Sequence, residues 1–333
     1  MTKNCYRPSA TGSLFSRCCQ ILLLTAALTS TPLSATQALC RRPVADAIPL
    51  LESMEVSWDR VSDYTAQLSK TERFVDGTTI AERASIAFRK PNQLHFRLLE
   101  GTYAGAELIF PKPGTDDVVL ARPGGVSGAL ARFLIKVPGI GSLIPYEFAL
   151  DDARLMAGQH HPLPASTIAN MLRLIAVNLR TAAMRQEGAM CFHPNEAVDG
   201  NPALKIEVLL PADVGRWHTV VDGESVKTIS SGYGQDPYRV FYSNPSIHAE
   251  DALSAGDRLF VPRYYTPRAL LWVSEEFNLP VKLQIFDVEN RLYEAYTNAE
   301  LRVDVGLGDE HFDPALHGFP EAPAPSRAPS DNR

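Results

Sequence analysis

The sequence predicts an α+β protein in which helices cover one face of an antiparallel sheet. Between residues 63 and 98, apolar and polar residues alternate in three successive segments, which is the period of half-buried strands. Two other segments, 44–60 and 167–184, repeat apolar residues at the spacing of an amphipathic helix. Because a sheet with one apolar face must bury that face, we expect the two helices to lie against it.

The N-terminus predicts secretion. Residues 1–19 hold three basic side chains and no acidic one, and an apolar run follows over residues 21–35. The run ends in small residues, with Ala35 and Ala38 as candidate cleavage positions, so residues 1–38 have the pattern of a signal peptide. The run falls short of the roughly 20 apolar residues that a membrane span needs, although an uncleaved anchor stays an alternative. We therefore expect a periplasmic or secreted protein.

The charge balance excludes one class of partner. The chain has 32 Lys and Arg against 38 Asp and Glu, and three of the basic residues lie in the predicted signal peptide. Its removal leaves 29 basic residues and a net charge near −9. Such a chain lacks the basic surface by which proteins bind nucleic acid, so we expect no nucleic-acid partner.

Cysteine usage suggests one disulfide. Two of the five cysteines, Cys40 and Cys191, remain after removal of the signal peptide. In an oxidising compartment such a pair suggests a bridge between the N-terminal region and the middle of the chain, and two separate thiols are the alternative. A lipid anchor on Cys40 is disfavoured, because Leu39 stands where a small residue is expected.

A helix and a meander of strands follow the signal peptide. In the predicted helix 44–60, Pro49 falls near the first turn, where proline is tolerated. Asp76-Gly77 predicts a hairpin turn, and Pro91-Asn92 ends the second strand. Two further strands are expected at 106–110 and 117–121.

The central region predicts an irregular segment and a second helix. Residues 126–148 are apolar but contain Pro138, Pro145 and several glycines, which suits neither a long helix nor a strand. A loop packed over the sheet and a movable lid over a cavity both agree with this composition. The helix at 167–184 has Ser166 as its predicted N-cap.

The C-terminal half completes a single predicted domain over residues 40–319. A second Asp-Gly turn precedes a strand, and a polar stretch at 212–262 has the composition of an insertion. Residues 320–333 are rich in Pro, Ala and Ser and predict a disordered tail. Strands are predicted at 203–210, 267–274, 279–287 and 291–306.

Catalytic and metal-binding patterns are weak. Ser127 lies in the segment GGVSGAL, which lacks the Gly-x-Ser-x-Gly spacing of a nucleophile elbow. His160 and His161 are adjacent, so on a strand they would point to opposite faces, and the pair is expected to order the loop before Pro162. The sequence has no phosphate-binding loop and no dinucleotide fingerprint. We expect no catalytic residue, no metal and no cofactor, and hence no enzyme.

Several short motifs occur in an order that identifies a family. They are Asp63-Tyr64-Thr65, Glu72-Arg73, FRKPNQLHFRL at 88–98, MAGQHHPL at 156–163, Leu279-Pro280-Val281 and HFDPALHGF at 311–319. In this order they resemble an uncharacterised family of secreted bacterial proteins, domain of unknown function 1571, in the LolA/LolB-like superfamily of lipoprotein carriers. The resemblance covers about residues 44–211 and 267–319, and residues 212–262 depart from the pattern.

The resemblance implies a strongly curved antiparallel sheet, an unclosed β-barrel, with helices packed on its concave face and a cavity between them. The residues expected to line the cavity, with ordinary core packing as the alternative for each, are Tyr64, Leu68, Ile86, Phe88, Leu94, Phe96, Leu98, Leu283 and Ile285. The residues expected to form a helical plug are Ile168, Met171, Leu172 and Ile175.

Two functions follow from this interpretation. The first is a periplasmic carrier or chaperone that binds a lipid, a lipoprotein acyl chain or another amphiphile in the cavity. The second is a non-enzymatic envelope sensor or assembly factor that binds a protein partner through residues 212–262. The sequence leaves the ligand and the oligomeric state open.

Overall fold

The computed structural model describes residues 41–124, 146–156, 158–247 and 253–319. The helices in these residues are α1 (Ile48–Arg60), α2 (Ala153–Met156), α3 (Ile168–Arg185), α4 (Val226–Gly232) and α5 (Pro237–Ser243). The strands are β1 (Asp63–Arg73), β2 (Thr79–Arg89), β3 (Gln93–Glu100), β4 (Glu107–Phe110), β5 (Val118–Arg122), β6 (Glu147–Ala149), β7 (Ala189–Val198), β8 (Asn201–Leu209), β9 (Gly215–Thr219), β10 (Arg258–Pro262), β11 (Arg268–Ser274), β12 (Pro280–Phe286) and β13 (Leu292–Val303).

Eleven of these strands form one antiparallel sheet, in the order β6-β5-β4-β3-β2-β1-β13-β12-β11-β8-β7. Neighbouring strands of this sheet are consecutive in sequence except where β1 pairs with β13 and β8 pairs with β11. The two end strands, β6 and β7, do not pair with each other in the described part of the chain, so the sheet is open. Helices α1 and α3 pack against one side of it, which we call the covered face. The predicted fold class, an unclosed antiparallel sheet with helices on its concave face, is confirmed.

Both predicted Asp-Gly turns are present. Gly77, between β1 and β2, has a φ of +86°, and the Asp76 carboxylate accepts the backbone N–H of Thr78 at 2.9 Å. Between β7 and β8, Asp199 and Gly200 have φ values of 49° and 80°. Two successive positive φ angles match the twist of the flanking strands, so this short turn closes the hairpin without splaying it.

Strand β7 is an element that the sequence pattern does not predict. Its alternation of apolar and polar residues is interrupted by Pro194 and Asn195, and Asn195 has a φ of 63°. The register with β8 shifts between His193 and Glu196, which indicates a bulge. Since β7 lies at the end of the sheet, one of its sides needs no ladder hydrogen bonds, and a proline is tolerated there.

Three expectations lie outside the described residues. These are the signal peptide, the C-terminal tail, and the loop or lid at 126–148 apart from its last residues, so all three stay predictions. The last residues of the segment 126–148 enter β6, which pairs with β5. None of the helices in the described ranges has the length and apolar character needed to cross a membrane.

The chain between β8 and β11 leaves and re-enters the sheet at neighbouring strands, since Leu209 pairs with Arg268. Within this stretch β9 and β10 form a separate two-stranded sheet, and α4 and α5 pack beside it. The stretch corresponds to the predicted insertion at 212–262, although its status as a separate unit stays a prediction. It has a small apolar cluster of its own, formed by Val220, Val226, Ile229, Val240, Leu259 and Val261.

Helix α3 begins one residue later than the predicted cap. Leu163–Ser166 form a short 3-10 turn, so Ser166 is not the N-cap and that prediction is wrong. The cap is Thr167, whose hydroxyl accepts the backbone N–H of Asn170 at 3.4 Å and donates to the Pro164 carbonyl at 2.8 Å. The hydroxyl therefore joins the 3-10 turn to the helix.

We expect Thr167→Ala to lower the free energy of unfolding by about 1 kcal/mol, because it removes the side-chain acceptor at the helix start. Ser166→Ala, one position earlier, is the matched control and is expected to change it by less than about 0.5 kcal/mol. Urea denaturation of both variants would measure the difference. A larger loss in Ser166→Ala than in Thr167→Ala would contradict the assignment of the cap.

Candidate functional site

Seven of the predicted cavity-lining residues, on β1, β2 and β3, pack together on the covered face. Their exposed fractions range from 0% to 8%. Tyr64 pairs with Phe88 across β1 and β2, and Ile86 pairs with Phe96 across β2 and β3, so their side chains share one face. Ile168 of the predicted plug packs with them. We call this group the first cluster, and its seven predicted members are Tyr64, Leu68, Ile86, Phe88, Leu94, Phe96 and Leu98.

The remaining predicted residues lie in a second cluster. Leu283 and Ile285 of β12 pack there against α1, α3 and the buried faces of β8 and β11. The other three plug residues, Met171, Leu172 and Ile175, also belong to this second cluster. The covered face therefore divides the predicted site residues between two apolar clusters, and α3 contributes to both.

A small cavity lies in the second cluster between the helices and the sheet, and its volume is about 50 Å³. Ile175, Leu283 and Ile285 line it, whereas the seven residues of the first cluster do not. Its other apolar walls include Met54, Leu179, Ile206, Val208, Ala269 and Leu271.

The Asp63-Tyr64 motif holds two other segments against the sheet. The Asp63 carboxylate accepts backbone N–H groups of the chain after β13 at 2.8–3.2 Å. The Tyr64 hydroxyl accepts the backbone N–H of Ile168 at 3.2 Å, at the first residue of α3. Trp58, near the end of α1, packs on Tyr64 and on Phe88 with ring centroids 6.1 and 5.8 Å apart. These contacts position both helices on the covered face.

The covered face is not apolar throughout. Lys70 and Glu72 continue the inward-facing row of β1, and they pair with Tyr296 and Glu294 of β13. All but Tyr296 are buried, and with the buried Asn298 they form what we call the polar strip. In the sequence, this strip is indicated by two charged residues, Lys70 and Glu72, at consecutive inward positions of β1. The alternation of apolar inward residues on β1 ends at Leu68. A prediction of the cavity lining from apolar residues alone therefore misses the polar strip.

The buried charges of the polar strip have partners. Lys70 Nζ lies 3.4 Å from Glu72 Oε2 and 3.1 Å from Glu82 Oε2. The Tyr296 hydroxyl donates to Glu72 Oε1 at 2.6 Å, and the backbone N–H of His160 donates to Glu72 Oε2 at 3.1 Å. Since a buried charge is tolerated only when it is paired and hydrogen-bonded, these contacts allow two acidic residues to lie side by side on the covered face.

Both adjacent histidines reach Glu294, contrary to the expectation that they point to opposite faces. His160 Nδ1 lies 2.6 Å and His161 Nε2 3.3 Å from Glu294 Oε1. The expectation assumed a strand, whereas this segment is a loop without that alternation. His160 also stacks on Tyr238 of α5, with ring centroids 3.7 Å apart. The motifs Glu72-Arg73 and 156–163, distant in sequence, therefore meet at the polar strip.

Electrostatics in this region favour charged forms of the acid and one histidine. Burial alone would raise the pKa of Glu294, but the two histidines lower it below its ordinary range. Burial alone would lower the pKa of His161, but the carboxylates of Glu294 and Asp236 raise it well above its ordinary value. The Tyr265 hydroxyl donates to Glu294 Oε1 at 2.6 Å, and burial raises the pKa of this tyrosine, so it stays a neutral donor.

Another buried acid, Asp287, ties the insertion to the sheet. It lies just after β12, and its carboxylate accepts hydrogen bonds from Arg73 of β1 and from Arg291. The Tyr242 hydroxyl, on α5, donates to it at 3.0 Å. Beside these residues a groove of about 460 Å³ separates the insertion from the turns of the sheet. Its walls include Asp76, Pro211, Arg239, Pro245, Tyr264 and Arg291.

The predicted disulfide stays a prediction, because Cys40 lies outside the described residues. Cys191 is buried on β7. Arg42 forms a two-way backbone pair with Met190, with N···O distances of 3.0 and 2.9 Å. The chain that follows Cys40 therefore runs beside the residue that precedes Cys191.

The protein is of an open-sheet class, in which an antiparallel sheet holds two helices on its covered face. Within that class, residues 61–218 match the family model described as "Protein of unknown function (DUF1571)", and this segment belongs to that family. The family predicted from the order of the short motifs is confirmed. A comparison with curated proteins found no match.

Several solved structures resemble the fold distantly. A LolA superfamily protein from Nitrosomonas europaea is 11% identical, with a TM-score of 0.28 over 80% of this chain and 97% of that chain. An uncharacterized conserved protein from Thermus thermophilus is 8% identical, with a TM-score of 0.36 over 83% of this chain and 95% of that chain. A chain of the MucA/MucB complex of Pseudomonas aeruginosa is 12% identical, with a TM-score of 0.34 over 81% of this chain and 60% of that chain. Values this low support no transfer of function to this chain.

Proposed function

We propose that the protein is a cell-envelope carrier or chaperone that binds a lipid, a lipoprotein acyl chain or another amphiphile between its covered face and helices α1 and α3. The observation that carries this proposal is the apolar cavity beneath α3, which is lined by Ile175, Leu283 and Ile285. The envelope location rests on the predicted signal peptide. The proposal is of a binding protein, and it assigns no reaction.

The size of the cavity requires α3 to move when a ligand binds. Burying a 14-carbon chain yields on the order of 10 kcal/mol at about 0.8 kcal/mol per methylene. A cavity of about 50 Å³ accepts only a small part of such a chain. The ligand would therefore take the place of α3 against the sheet, and its apolar contacts would offset those that the helix loses.

The contacts that hold α3 are of a kind that a ligand can replace. Its inward side chains are apolar, so an acyl chain is an equivalent neighbour for the sheet. Its polar attachments include the backbone N–H of Ile168, which donates to the Tyr64 hydroxyl at 3.2 Å. Asn178 accepts the backbone N–H of Tyr265 at 2.8 Å, and Arg180 pairs with Glu55 of α1 at the surface. In the carrier proposal α3 is thus the plug, and α1 moves with it.

The direct test is mass spectrometry of what co-purifies with the mature protein secreted to the periplasm, extracted first under native and then under organic conditions. We expect a stoichiometric acyl-chain species. An ordered protein without any bound amphiphile would refute the proposal.

Ala269→Leu provides the matched variant. Ala269, on β11, lines the cavity, and a leucine there fills space without adding charge. We expect its acyl-chain content to fall at least about tenfold, a loss of about 1.4 kcal/mol of binding free energy, while its stability is unchanged or rises. Ala87→Leu, on β2 and directed away from the first cluster, is the control and should retain the ligand. Equal ligand content in both variants would place binding elsewhere.

A second candidate function is supported by the groove of about 460 Å³ between the insertion and the sheet. A groove of this size, with proline and arginine in its walls, suits an extended segment of a partner protein. In that case the protein would be an envelope sensor or assembly factor. An amphiphile-free protein that forms a stable complex, lost on removal of residues 212–262, would favour this function over the carrier.

A further inference from the structure

We propose that His160, His161 and Glu294 bind one divalent transition-metal ion of the zinc class, which holds the insertion and the loop before α3 to the sheet. This site is distinct from the cavity beneath α3, and the proposal does not depend on whether the protein carries an amphiphile.

The ligand atoms already converge. One ligand atom from each of His160, His161 and Glu294 lies within 4.8 Å of the other two. Zinc binds imidazole nitrogen at about 2.0–2.1 Å and carboxylate oxygen at about 2.0–2.2 Å, so tetrahedral ligand atoms lie roughly 3.3 Å apart. The distance from His161 Nε2 to Glu294 Oε1 is 3.3 Å, and that from His160 Nδ1 is 2.6 Å. The second contact must therefore widen by roughly 0.7 Å to admit an ion.

The outer contacts of His161 are those of a metal ligand. Its other ring nitrogen, Nδ1, lies 3.1 Å from Asp236 Oδ2, so it donates to this carboxylate, and a metal ion would replace the proton on Nε2. Metal-binding histidines commonly donate their second N–H to a carboxylate, which sets the tautomer and raises the basicity of the ligand. Asp236 is also the N-cap of α5, so the same contact connects the site to the insertion.

Burial and an unpartnered oxygen at Glu294 point to a further ligand. The side chains of Glu294 and His160 are both 0% exposed. Glu294 Oε2 has no hydrogen-bond partner, and in the described ranges this carboxylate pairs with histidines and with neither lysine nor arginine. A buried carboxylate oxygen without a partner is costly. A bound ion would supply a partner for this oxygen.

Among the described residues, the other two groups of this kind have an arginine on the acidic ligand. In the group His95, Glu107 and His317, the Glu107 carboxylate pairs with Arg122. In the group Cys191, His193 and Glu207, the Glu207 carboxylate pairs with Arg268 at 2.7 Å. An arginine on the acidic ligand competes with a metal ion for it. These two groups therefore serve as internal controls.

The test uses the full mature chain, stripped of metal with a chelator and titrated separately with Zn²⁺ and Co²⁺. We expect saturable binding of one ion per chain and a higher melting temperature with Zn²⁺. The Co²⁺ form should show a tetrahedral spectrum of nitrogen and oxygen ligands without a thiolate charge-transfer band. Absence of one-to-one binding would overturn the proposal, as would a thiolate band, which would assign the ion to Cys191.

Substitutions locate the ion. Glu294→Gln and His161→Gln each remove a ligand, and we expect Zn²⁺ affinity to fall at least about 100-fold. Asp236→Asn removes the outer carboxylate but keeps a residue that caps α5, and should lower affinity about 10–100-fold. His95→Gln and His193→Gln are the controls and should bind as the unmodified chain does. Unchanged affinity in Asp236→Asn would refute the site even if the ligand variants fail to fold.

Discussion

Asp287→Ala is expected to lower the free energy of unfolding by about 3–5 kcal/mol, because it leaves a partly buried guanidinium without its partner. The Asp287 side chain is 0% exposed and that of Arg73 is 16% exposed. The carboxylate also accepts the Tyr242 hydroxyl, so the variant loses the contact that ties α5 to the sheet. Urea denaturation, followed by circular dichroism, would measure the loss.

The control for this variant is Glu289→Ala, two residues away. Glu289 is 59% exposed and pairs with Arg291, itself 57% exposed. Exposed ion pairs contribute little, so we expect a change of less than about 1 kcal/mol. Similar losses in the two variants would show that the Arg73–Asp287 contact does not stabilise the fold as described.

Asp287 is also expected to make the free energy of unfolding depend on pH. Burial alone would raise the pKa of Asp287, but hydrogen bonds from the Arg291 backbone, Arg73 and Tyr242 outweigh it and lower the pKa from 3.8 to about 2. A carboxyl group whose pKa is lower in the folded state stabilises that state above its unfolded pKa. The stabilisation is lost as pH falls from about 4 to about 2. Asp287→Ala should lack this part of the acid-induced loss.

Leu94→Ala is expected to lower the free energy of unfolding by about 2–5 kcal/mol, because it opens a cavity in the first cluster. Leu94 is 0% exposed and lies on β3 opposite Phe88 and Phe110. The result bears on the site prediction, since Leu94 was expected to line a ligand cavity. A large loss of stability in the ligand-free protein would identify it as a core residue.

Leu99→Ala, on the same strand, is the matched control. Leu99 is 37% exposed, and the same truncation there should change stability by less than about 1 kcal/mol. If Leu94→Ala were as mild as Leu99→Ala while amphiphile binding fell, the first cluster would be a ligand site and not a core. Thermal unfolding of both variants, with and without extracted lipid, separates the two outcomes.

The local elements were predictable because their signals are local. The alternation over 63–98 and the Asp-Gly turns predict β1, β2, β3 and two hairpins, and the structure contains them. The helix at 167–184 is observed as Ile168–Arg185. Strand β7 was missed because a proline and a bulge interrupt its period, which a position at the end of the sheet permits.

The candidate sites were less predictable. The apolar residues of β1, β2 and β3 are buried as expected, but only Leu283, Ile285 and Ile175 of the predicted set line the cavity beneath α3. Whether an inward residue meets a helix or an empty space depends on how closely the helix packs. The distance between helix and sheet depends on all the side chains that lie between them. It therefore cannot be predicted from the residue spacing of any one strand.

By itself, the sequence determined the fold class, the family and most of the elements, since hydrophobic period, turn residues and motif order are properties of neighbouring residues. Only the tertiary structure decided that Glu72 and Glu294 lie opposite each other on the covered face, and that two adjacent histidines and Asp236 of the insertion gather at Glu294. These residues come from four separate parts of the chain. Their meeting follows from the pairing of β1 with β13 and from the path of the insertion back to the sheet, which no local pattern encodes.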